Sequence, residues 1–362
     1  MKIAFVAEPY EEKEASGMGY VILEFMRTMA QYLPPEDELV IYSRTAVSPQ
    51  YKGARAENRL LPRGWLKKLW YFYTLRERFD AVVFMAPMLP LILPRRIKPV
   101  MLCQELASQK IIPDSSEALF AFVRDQVLMR ISIRRAVCVV VPSQATKDDI
   151  VAFYGTRPEK IVVIPDGYQD LKPYAPGEPL EMELKPFFFF TGKVKYRKNV
   201  HGIVSAFIAF KKRVRSDCKL LIGGSYGGEY YEKMLDEARA AGLERDIVFL
   251  GYVSIQKLYW LYSQAMALVF PSFNEGFGMP IIEAMSLGLP VITSNISSMA
   301  EVAADAGLLV NPADTEEISR AMERLYCDPK LREELIGKGY RRATQFSWER
   351  SGKELLELVR SL

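Results

Sequence analysis

Two carboxylates, Glu275 and Glu283, stand eight positions apart around a glycine loop and a proline. Pro280 suits the first position of a helix, because its fixed φ and missing N–H cost nothing there, and Gly288 suits the position that ends one. The pattern therefore predicts a helix over residues 280–287, with Glu275 in the loop before it and Glu283 one turn inside it. Carboxylates repel phosphates but accept hydrogen bonds from hydroxyls, which indicates a sugar and a ribose joined through phosphates. A solvated loop glutamate beside a glutamate on a helix face would show the same spacing.

Four cations lie within six positions, from Lys193 to Lys198, shortly after the apolar run 187–191. Lys193 and Lys198 could each give a charge-assisted hydrogen bond to a phosphate, worth roughly 1.5 to 3 kcal/mol. The helix start at Pro280 adds backbone N–H groups and the positive end of a helix dipole, which also suit a phosphate. Together these features indicate a diphosphate ligand. A solvated basic turn would carry the same residues.

Gly17 and Gly19 lie between the first apolar run and the helix that is predicted to begin near Tyr20. Glycines let a backbone come close to a phosphate or a sugar. The motif lacks the third glycine of the dinucleotide-binding fingerprint, and no obvious acidic partner stands about twenty residues further on. It is therefore a poor nicotinamide motif, and a tight turn without a ligand is the alternative.

The elements that must position these residues are short apolar runs that alternate with helical patterns along the chain. The predicted strands are residues 3–7, 38–42, 81–84, 100–103, 136–141, 161–164, 187–191, 219–222, 247–250, 267–270, 290–293 and 307–310. Such alternation is typical of parallel sheets covered by helices on both faces. The predicted fold class is therefore α/β, with two doubly wound, Rossmann-like domains that face each other across a cleft. Ligands of such sheets lie beyond the carboxyl ends of the strands.

Prolines, glycines and scattered charges without periodicity mark the boundary between the two predicted domains. The expected organisation is a first domain over 1–170, a linker over 171–186 and a second domain over 187–345. Residues 346–362 are predicted to form a closing helix capped by Ser347. Ser143 is predicted in the same way to cap a helix that follows the strand 136–141.

The composition excludes several classes of protein. Of 362 residues, 49% are hydrophobic and 25% are charged, and no apolar run approaches the roughly eighteen residues that suggest a membrane span. The chain has one histidine, four widely spaced cysteines and no Asp-x-Asp pair, so neither a metal site nor a disulfide framework is predicted. The start does not resemble a secretory signal, and we expect a cytoplasmic location with no nucleic-acid partner.

Basic charge is concentrated in one segment. Residues 59–98 hold nine Lys or Arg against two acidic residues, whereas the net charge of the chain is only +4. Trp65, Lys67 and Trp70 in this segment mix aromatic and cationic side chains, as surface-lying membrane helices do. The segment therefore predicts peripheral contact with the inner face of a membrane. An amphipathic helix packed on a sheet has the same pattern.

Taken together, these motifs resemble those of a family 4 glycosyltransferase of the two-Rossmann GT-B type. The resemblance is carried by residues 191–199, 251–254, 258–259, 274–285, 288–292 and 305–307. It extends over nearly the whole chain and is densest over 187–312. Its most specific part is the run 274–285, which reads NEGFGMPIIEAM.

The resemblance implies retaining transfer of a sugar from a nucleotide diphosphate donor, without a metal ion and with no cofactor besides the donor. Lys193 and Lys198 would then neutralise the diphosphate. Glu275 would hold a hydroxyl of the donor sugar, and Glu283 would hold the ribose hydroxyls. The other implied donor-binding residues are Gly17, Gly19, Tyr252, Val253, Phe277, Gly278 and Met279, mainly through their backbones.

The stretch 273–302 is similar to mannosyltransferases of surface polysaccharide assembly, which favours GDP-mannose over a UDP-sugar as the donor. The basic segment 59–98 favours a glycan or lipid-linked acceptor near a membrane. In this resemblance the first domain binds the acceptor and the second binds the nucleotide-sugar.

The chain departs from the family's pattern after the strand 100–103, where a His-Asp pair usually touches the donor sugar and the acceptor. Here the pair is Gln104-Glu105. Gln104 can still bond a sugar hydroxyl, and Glu105 keeps a carboxylate one methylene further out, but no imidazole can act there. Gln104 and Glu105, with Ser143, are the residues assigned to the acceptor or donor-sugar side.

Two other functions fit the same residues. A sugar-nucleotide epimerase on a double-Rossmann plan would use the carboxylates for acid and base work without any acceptor. A nucleotide-sugar-binding partner subunit would bind the donor without turnover, which the loss of the His-Asp pair makes conceivable.

Overall fold

A computed structural model describes residues 1–8, 17–62, 77–85, 89–90, 93–106, 116–175 and 186–362, with side-chain surroundings from residue 126 onward in the helix that begins at 116. Contacts divide the chain into two compact units. The first unit joins Met1–Gly167 to Ser347–Leu362, and the second is Tyr168–Phe346. Each unit is built on one parallel sheet, so the predicted α/β class with two Rossmann-like sheets is confirmed.

The first sheet has seven strands in the order β3-β2-β1-β4-β5-β6-β7. Its strands are β1 Lys2–Ala7, β2 Glu38–Ser43, β3 Glu57–Leu60, β4 Ala81–Phe84, β5 Pro99–Leu102, β6 Cys138–Val141 and β7 Ile161–Val163. All pairings are parallel. The inner strands read as short apolar runs because helices cover both of their faces, and all four residues of β4 are buried.

The second sheet has six strands in the order β10-β9-β8-β11-β12-β13. Its strands are β8 Phe187–Thr191, β9 Lys219–Gly223, β10 Ile247–Gly251, β11 Ala267–Phe270, β12 Val291–Ser294 and β13 Leu308–Val310. The four phenylalanines 187–190 lie in the interior of this sheet and are 0% exposed. They supply apolar area to both helical layers, since successive side chains of a strand point to opposite faces.

The helices are α1 Met18–Tyr32, α2 Pro49–Lys52, α3 Ser116–Arg135, α4 Gln144–Tyr154, α5 Val200–Arg213, α6 Gly228–Ala240, α7 Ile255–Gln264, α8 Met279–Ser286, α9 Ser297–Ala303, α10 Thr315–Cys327, α11 Pro329–Ala343 and α12 Trp348–Ser361. Ser143 caps α4 and Ser347 caps α12, as predicted. The helix predicted over 280–287 is α8, which begins and ends one residue earlier.

The closing helix α12 packs against α1 within the first unit. The ring of Trp348 meets Tyr20 and Phe25 edge-on, with centroids 5.9 and 5.4 Å apart. Gly352 lies so close to α1 that a Cβ on it would stand 2.1 Å from Thr28 Oγ1. The last element of the chain therefore completes the core of the first unit.

Two predicted segments fall partly outside the described residues. Trp65, Lys67 and Trp70 of the basic segment lie there, and so do residues 176–185 of the predicted linker. The described part of that linker contains a single turn of 3₁₀ helix, Lys172–Tyr174.

Candidate donor and acceptor sites

Glu275 lies in the loop between β11 and α8, where two cations meet its carboxylate. Lys198 Nζ is 2.6 Å from Glu275 Oε1, and Arg197 Nη1 is 3.3 Å from Oε2. Arg197 also donates to the backbone oxygen of Asn274, at 3.2 Å. Glu275 is only 8% exposed, so the two cations compensate a carboxylate that has lost most of its water. The basic cluster 193–198 and the run 274–285, which are far apart in the sequence, thus meet at the carboxylate of Glu275.

Serines at the start of α9 hold the loop of Glu275 in place. The hydroxyls of Ser297 and Ser298 donate to the backbone oxygen of Glu275, at 3.0 and 2.9 Å, and Ser298 also donates to that of Phe277, at 3.0 Å. Neither serine was assigned a role from the sequence. The only signal was a Ser-Ser pair ahead of an apolar run, since serine is common where a helix starts.

Gly278 immediately precedes α8 and has a φ of 103°, a conformation that residues with side chains rarely adopt. Phe277 before it is 5% exposed and packs edge-on against Phe346, with ring centroids 5.4 Å apart. Met279 is the first helical residue. The backbone N–H groups of this first turn therefore stand at the positive end of a helix dipole, a few residues beyond Glu275.

Glu283 lies on α8 and is almost fully buried, at 8% exposed. Tyr262 on α7 donates its hydroxyl to Glu283 Oε2, at 3.2 Å, and the backbone N–H of Gln169 donates to the same carboxyl group. Burial raises the pKa of Glu283 to about 7, against the opposing effect of these two hydrogen bonds. Glu283 therefore changes charge near neutral pH and can accept further hydrogen bonds as a carboxylate.

The loops that follow β8 and β9 are hydrogen-bonded to the last residues of β9 and β10 at the carboxyl edge of the second sheet. Gly192 N donates to Gly223 O at 2.9 Å, and Gly224 N donates to Gly251 O at 2.7 Å. A Cβ on Gly224 would stand 2.0 Å from Gly192 O, so only glycine fits there. The loops after β8 and β10 carry the exposed Lys193 and the half-buried Val253 at the same edge of the sheet.

Tyr252 follows β10 and is 88% exposed. Lys193 has no ion pair within the described part of the second unit. The structure therefore brings Lys198 to Glu275 and leaves Lys193 and Tyr252 projecting from the edge of the sheet.

Gly17 precedes α1 with φ at 55°, and a Cβ there would meet no atom within 4 Å. Gly19 lies in the first turn of α1. Both glycines are at the carboxyl end of β1, which is where a ligand of the first sheet would lie.

Gln104 and Glu105 follow β5, and both are partly exposed. Gln104 Nε2 donates to Asp166 Oδ1, at 3.3 Å. Asp166, which follows β7, is 2% exposed, and burial raises its pKa to about 8 while the bond from Gln104 acts in the opposite direction. Asp166 was not assigned a role from the sequence, since a Pro-Asp-Gly triplet indicates an ordinary surface turn.

Ser143 is buried at the carboxyl end of β6. Its hydroxyl accepts from Thr146 N, at 3.1 Å, and lies 2.9 Å from Thr146 Oγ1. These two contacts are those of the predicted helix cap, and the assignment of Ser143 to the acceptor or donor-sugar side stays a prediction.

No group of three or more His, Cys, Asp or Glu in the described ranges has the arrangement of a metal site. The single histidine, His201, has its Nδ1 2.7 Å from the hydroxyl of Tyr230, and its ring stacks on Tyr196 with centroids 5.1 Å apart. Of the helices described, none is long and apolar enough to cross a membrane.

Comparison with known proteins matches both halves of the chain to families. Residues 176–342 match the family described as "Glycosyl transferases group 1", and residues 28–167 match the one described as "Glycosyl transferase 4-like domain". The sucrose-phosphate synthase of Thermosynechococcus elongatus has a similar fold, with a TM-score of 0.76 at 19% identity over 99% of this chain and 98% of that one.

Two curated relatives are similar in sequence. "O-antigen chain mannosyltransferase B" of Escherichia coli is 32% identical over 226 residues, which are 60% of this chain and 59% of that protein. "O-antigen chain mannosyltransferase RfbU" of Salmonella typhimurium strain LT2 is 33% identical over 198 residues, which are 55% of this chain and 53% of that protein. The matched part is therefore less than two thirds of either relative.

Proposed function

The chain belongs to the GT-B glycosyltransferases of the family 4 type, and from this premise we propose that it moves a sugar from a nucleotide diphosphate donor to a glycan or lipid-linked acceptor with retention of configuration. One observation carries the proposal, the contact of Lys198 with Glu275 at 2.6 Å. A cation for a diphosphate and a carboxylate for a sugar hydroxyl are held side by side. The donor would lie in the second domain and the acceptor in the first.

The cations on Glu275 have a clear role when a donor binds. A diphosphate gives Lys198 and Arg197 a second anionic partner, and Glu275 then accepts a hydrogen bond from a donor-sugar hydroxyl. Charge-assisted bonds of this kind are worth roughly 1.5 to 3 kcal/mol each. If two of them strengthen as the leaving diphosphate gains charge, they accelerate the reaction by roughly a hundredfold to ten-thousandfold.

Glu283 is proposed to hold the ribose hydroxyls of the donor. Its carboxyl group is buried and already accepts from Tyr262 and from the backbone of Gln169. A group held by two donors in a fixed position can select a ligand whose hydroxyls match its remaining acceptor sites. Lys193, Tyr252 and Val253 would bind the diphosphate and the base from the edge of the sheet.

GDP-mannose is the proposed donor, with UDP-sugars as the alternative. The support is that both curated relatives described above are named as mannosyltransferases of O-antigen chains. Thermal-shift measurements with UDP, GDP, ADP and their sugars would identify the nucleotide, because a ligand that binds only the folded protein raises its melting temperature according to its affinity. Stabilisation by UDP but not by GDP would overturn the choice of donor.

The reaction is further proposed to need no metal ion, since Lys198 and Arg197 bring positive charge to the place where the diphosphate would lie. Transfer should then persist in excess EDTA. A loss of activity in EDTA that magnesium or manganese restores would show that this part of the proposal is wrong.

The transfer itself is tested with purified protein, GDP-mannose and oligosaccharide or lipid-linked acceptors. A product whose anomeric configuration equals that of the donor supports the proposal. Isomerised donor in the absence of an acceptor would indicate the epimerase instead. Tight donor binding without hydrolysis or transfer to any acceptor would indicate the binding subunit.

A further inference from the structure

The pair Gln104 and Asp166 joins two strands of the first sheet that are not neighbours. Gln104 follows β5 and Asp166 follows β7, and β6 lies between them. Strands in a sheet are about 4.8 Å apart, so the two backbones are separated by about 10 Å at this edge. The bond from Gln104 Nε2 to Asp166 Oδ1, at 3.3 Å, therefore passes over the carboxyl end of β6. This edge is where a ligand of the first sheet would lie.

The backbone around Asp166 is fixed by the closing helix. Ser351 donates its hydroxyl to the backbone oxygen of Pro165. Gly167 has no room for a side chain, because a Cβ there would stand 2.4 Å from Trp348 N. With both neighbours held, the carboxyl group of Asp166 has little freedom to move.

Asp166 has one recorded side-chain partner within the described residues, the amide of Gln104, and that amide has one recorded partner, Asp166. Burial raises the pKa of Asp166, and this hydrogen bond acts in the opposite direction. A buried carboxyl group with a pKa of about 8 keeps its proton near neutral pH, which avoids the cost of a buried charge. Its carbonyl oxygen still accepts the hydrogen bond from Gln104.

A glutamine amide has two faces that differ in chemistry. One end is a carbonyl oxygen that accepts, and the other is an NH₂ group that donates twice. The acceptor at Asp166 Oδ1 engages the NH₂ end of the amide. Gln104 is partly exposed, so its Oε1 and its second N–H are available to a ligand at the carboxyl edge of the sheet.

We propose that Asp166 is a positioning residue that fixes the orientation of the Gln104 amide, so that Gln104 Oε1 accepts a hydrogen bond from a hydroxyl of the sugar substrate. The inference depends on the proposed glycosyl transfer, since it names the hydroxyl as part of that reaction's substrate. Gln104 touches the substrate, and Asp166 acts only through Gln104. The pair fixes the orientation of the amide, whereas an unanchored amide could turn either end toward the substrate.

The test is a double-mutant cycle with Asp166→Leu and Gln104→Leu, measured by kcat and KM for transfer with the donor and the acceptor varied in turn. Each single change should lower kcat/KM about tenfold, the effect of one lost hydrogen bond to a substrate. In the Gln104→Leu background, Asp166→Leu should have no further effect, because its partner is already absent. Asp166→Asn, whose amide oxygen can still accept from Gln104, should retain kcat/KM within about threefold.

Several outcomes would overturn the inference. They are an Asp166→Leu variant with wild-type kinetics, an equal loss in the presence and absence of Gln104, and an Asp166→Asn variant as impaired as Asp166→Leu. Where Asp166→Leu does not fold, Asp166→Ala makes the same comparison without added volume. A wild-type protein that transfers no sugar contradicts the proposed function instead, so the two failures are distinguishable.

Discussion

At the scale of single residues, Glu275 and Glu283 have different partners, which predicts different roles for the two carboxylates. Glu275 is paired with two cations, whereas Glu283 is bonded by a tyrosine and a backbone N–H. Glu275→Ala removes the carboxylate that competes with the proposed diphosphate for Lys198, so we expect nucleotide binding to be kept while transfer falls at least about a hundredfold. Glu283→Ala removes the carboxyl group that is proposed to hold the ribose, and it should weaken nucleotide binding about tenfold to a hundredfold.

The measurements are calorimetric titration with the nucleotide and a transfer assay with the sugar donor. Glu232→Ala, at an exposed glutamate of the same unit, is the control and should change neither quantity. If Glu275→Ala weakens nucleotide binding as much as Glu283→Ala does, the assignment of the two carboxylates to different parts of the donor is wrong.

The pKa of Asp166 has a consequence for stability. It is about 8 in the folded protein, whereas an aspartate in an unfolded chain titrates near about 3.9. The folded state therefore binds this proton more tightly, and the contribution of Asp166 to the free energy of unfolding falls as the pH rises from about 4 to about 8. Asp166→Asn removes that fall, so its stability relative to wild type should increase with pH, by at most about 1.4 kcal/mol per pH unit.

Urea unfolding of both proteins at several pH values between 5 and 8 measures this difference. Asp148→Asn is a matched control, since Asp148 also accepts from a glutamine amide, Gln144 Nε2 at 2.7 Å, but lies on the exposed face of α4. The comparison with this variant separates the effect of the buried site from that of losing one carboxylate. A stability difference for Asp166→Asn that does not vary with pH would contradict the prediction.

At the scale of elements, the contact between α1 and α12 depends on a missing side chain. A Cβ at Gly352 would stand 2.1 Å from Thr28 Oγ1 and 2.4 Å from Thr28 Cβ. Gly352→Ala should therefore separate the two helices and destabilise the protein by about 1 to 3 kcal/mol, as overpacking does. Thermal unfolding measures the effect.

Gly337→Ala on α11 is the matched control for this change. A Cβ there would meet only Arg341 Nη1, at 3.8 Å. Because alanine favours a helix over glycine, this variant should be as stable as wild type or up to about 1 kcal/mol more stable. Equal melting temperatures for Gly352→Ala and wild type would show that α12 can move away from α1 without loss of stability.

The inner strands could be predicted from the sequence because they are apolar on both faces. β4, β8 and β11 have the predicted bounds, and most of the others differ by one or two residues at either end. β3 was missed because its residues, Glu57 to Leu60, are mostly polar, as suits an edge strand that pairs only with β2.

The candidate sites were predictable only in part. That the loops of Lys198 and Glu275 lie at one edge followed from placing both after parallel strands of one sheet, but the ion pair between the two side chains was not predicted. The burial of Asp166 did not follow, because aspartates in turns are usually exposed and its neighbours pack against a helix from the far end of the chain. Local sequence patterns carry no information about such a distant contact.

At the scale of the whole molecule, we propose that the basic segment 59–98 binds anionic lipid, as its aromatic and cationic residues suggest. Binding to vesicles containing phosphatidylserine should weaken with added salt. It should fall several-fold when Trp65, Lys67 and Trp70 are all replaced by alanine. Sedimentation with vesicles measures both effects.

The control for the vesicle experiment changes Phe153 and Arg157 to alanine, an exposed aromatic and an exposed cation outside the segment. That variant should bind like wild type. A triple variant that keeps its binding would show that the segment has no role at the membrane.

The two units differ in sequence continuity. The second unit is one continuous segment, whereas the first consists of two segments that lie on either side of it. During synthesis the second unit can fold as soon as residue 346 leaves the ribosome, whereas the first must wait for α12.

Gly167 and Trp348 are already in contact, so a short loop joining 167 to 347 would yield the first unit as an independent polypeptide. A shortened product that lacks α12 would instead expose the apolar face of α1 and be a substrate for cellular proteases.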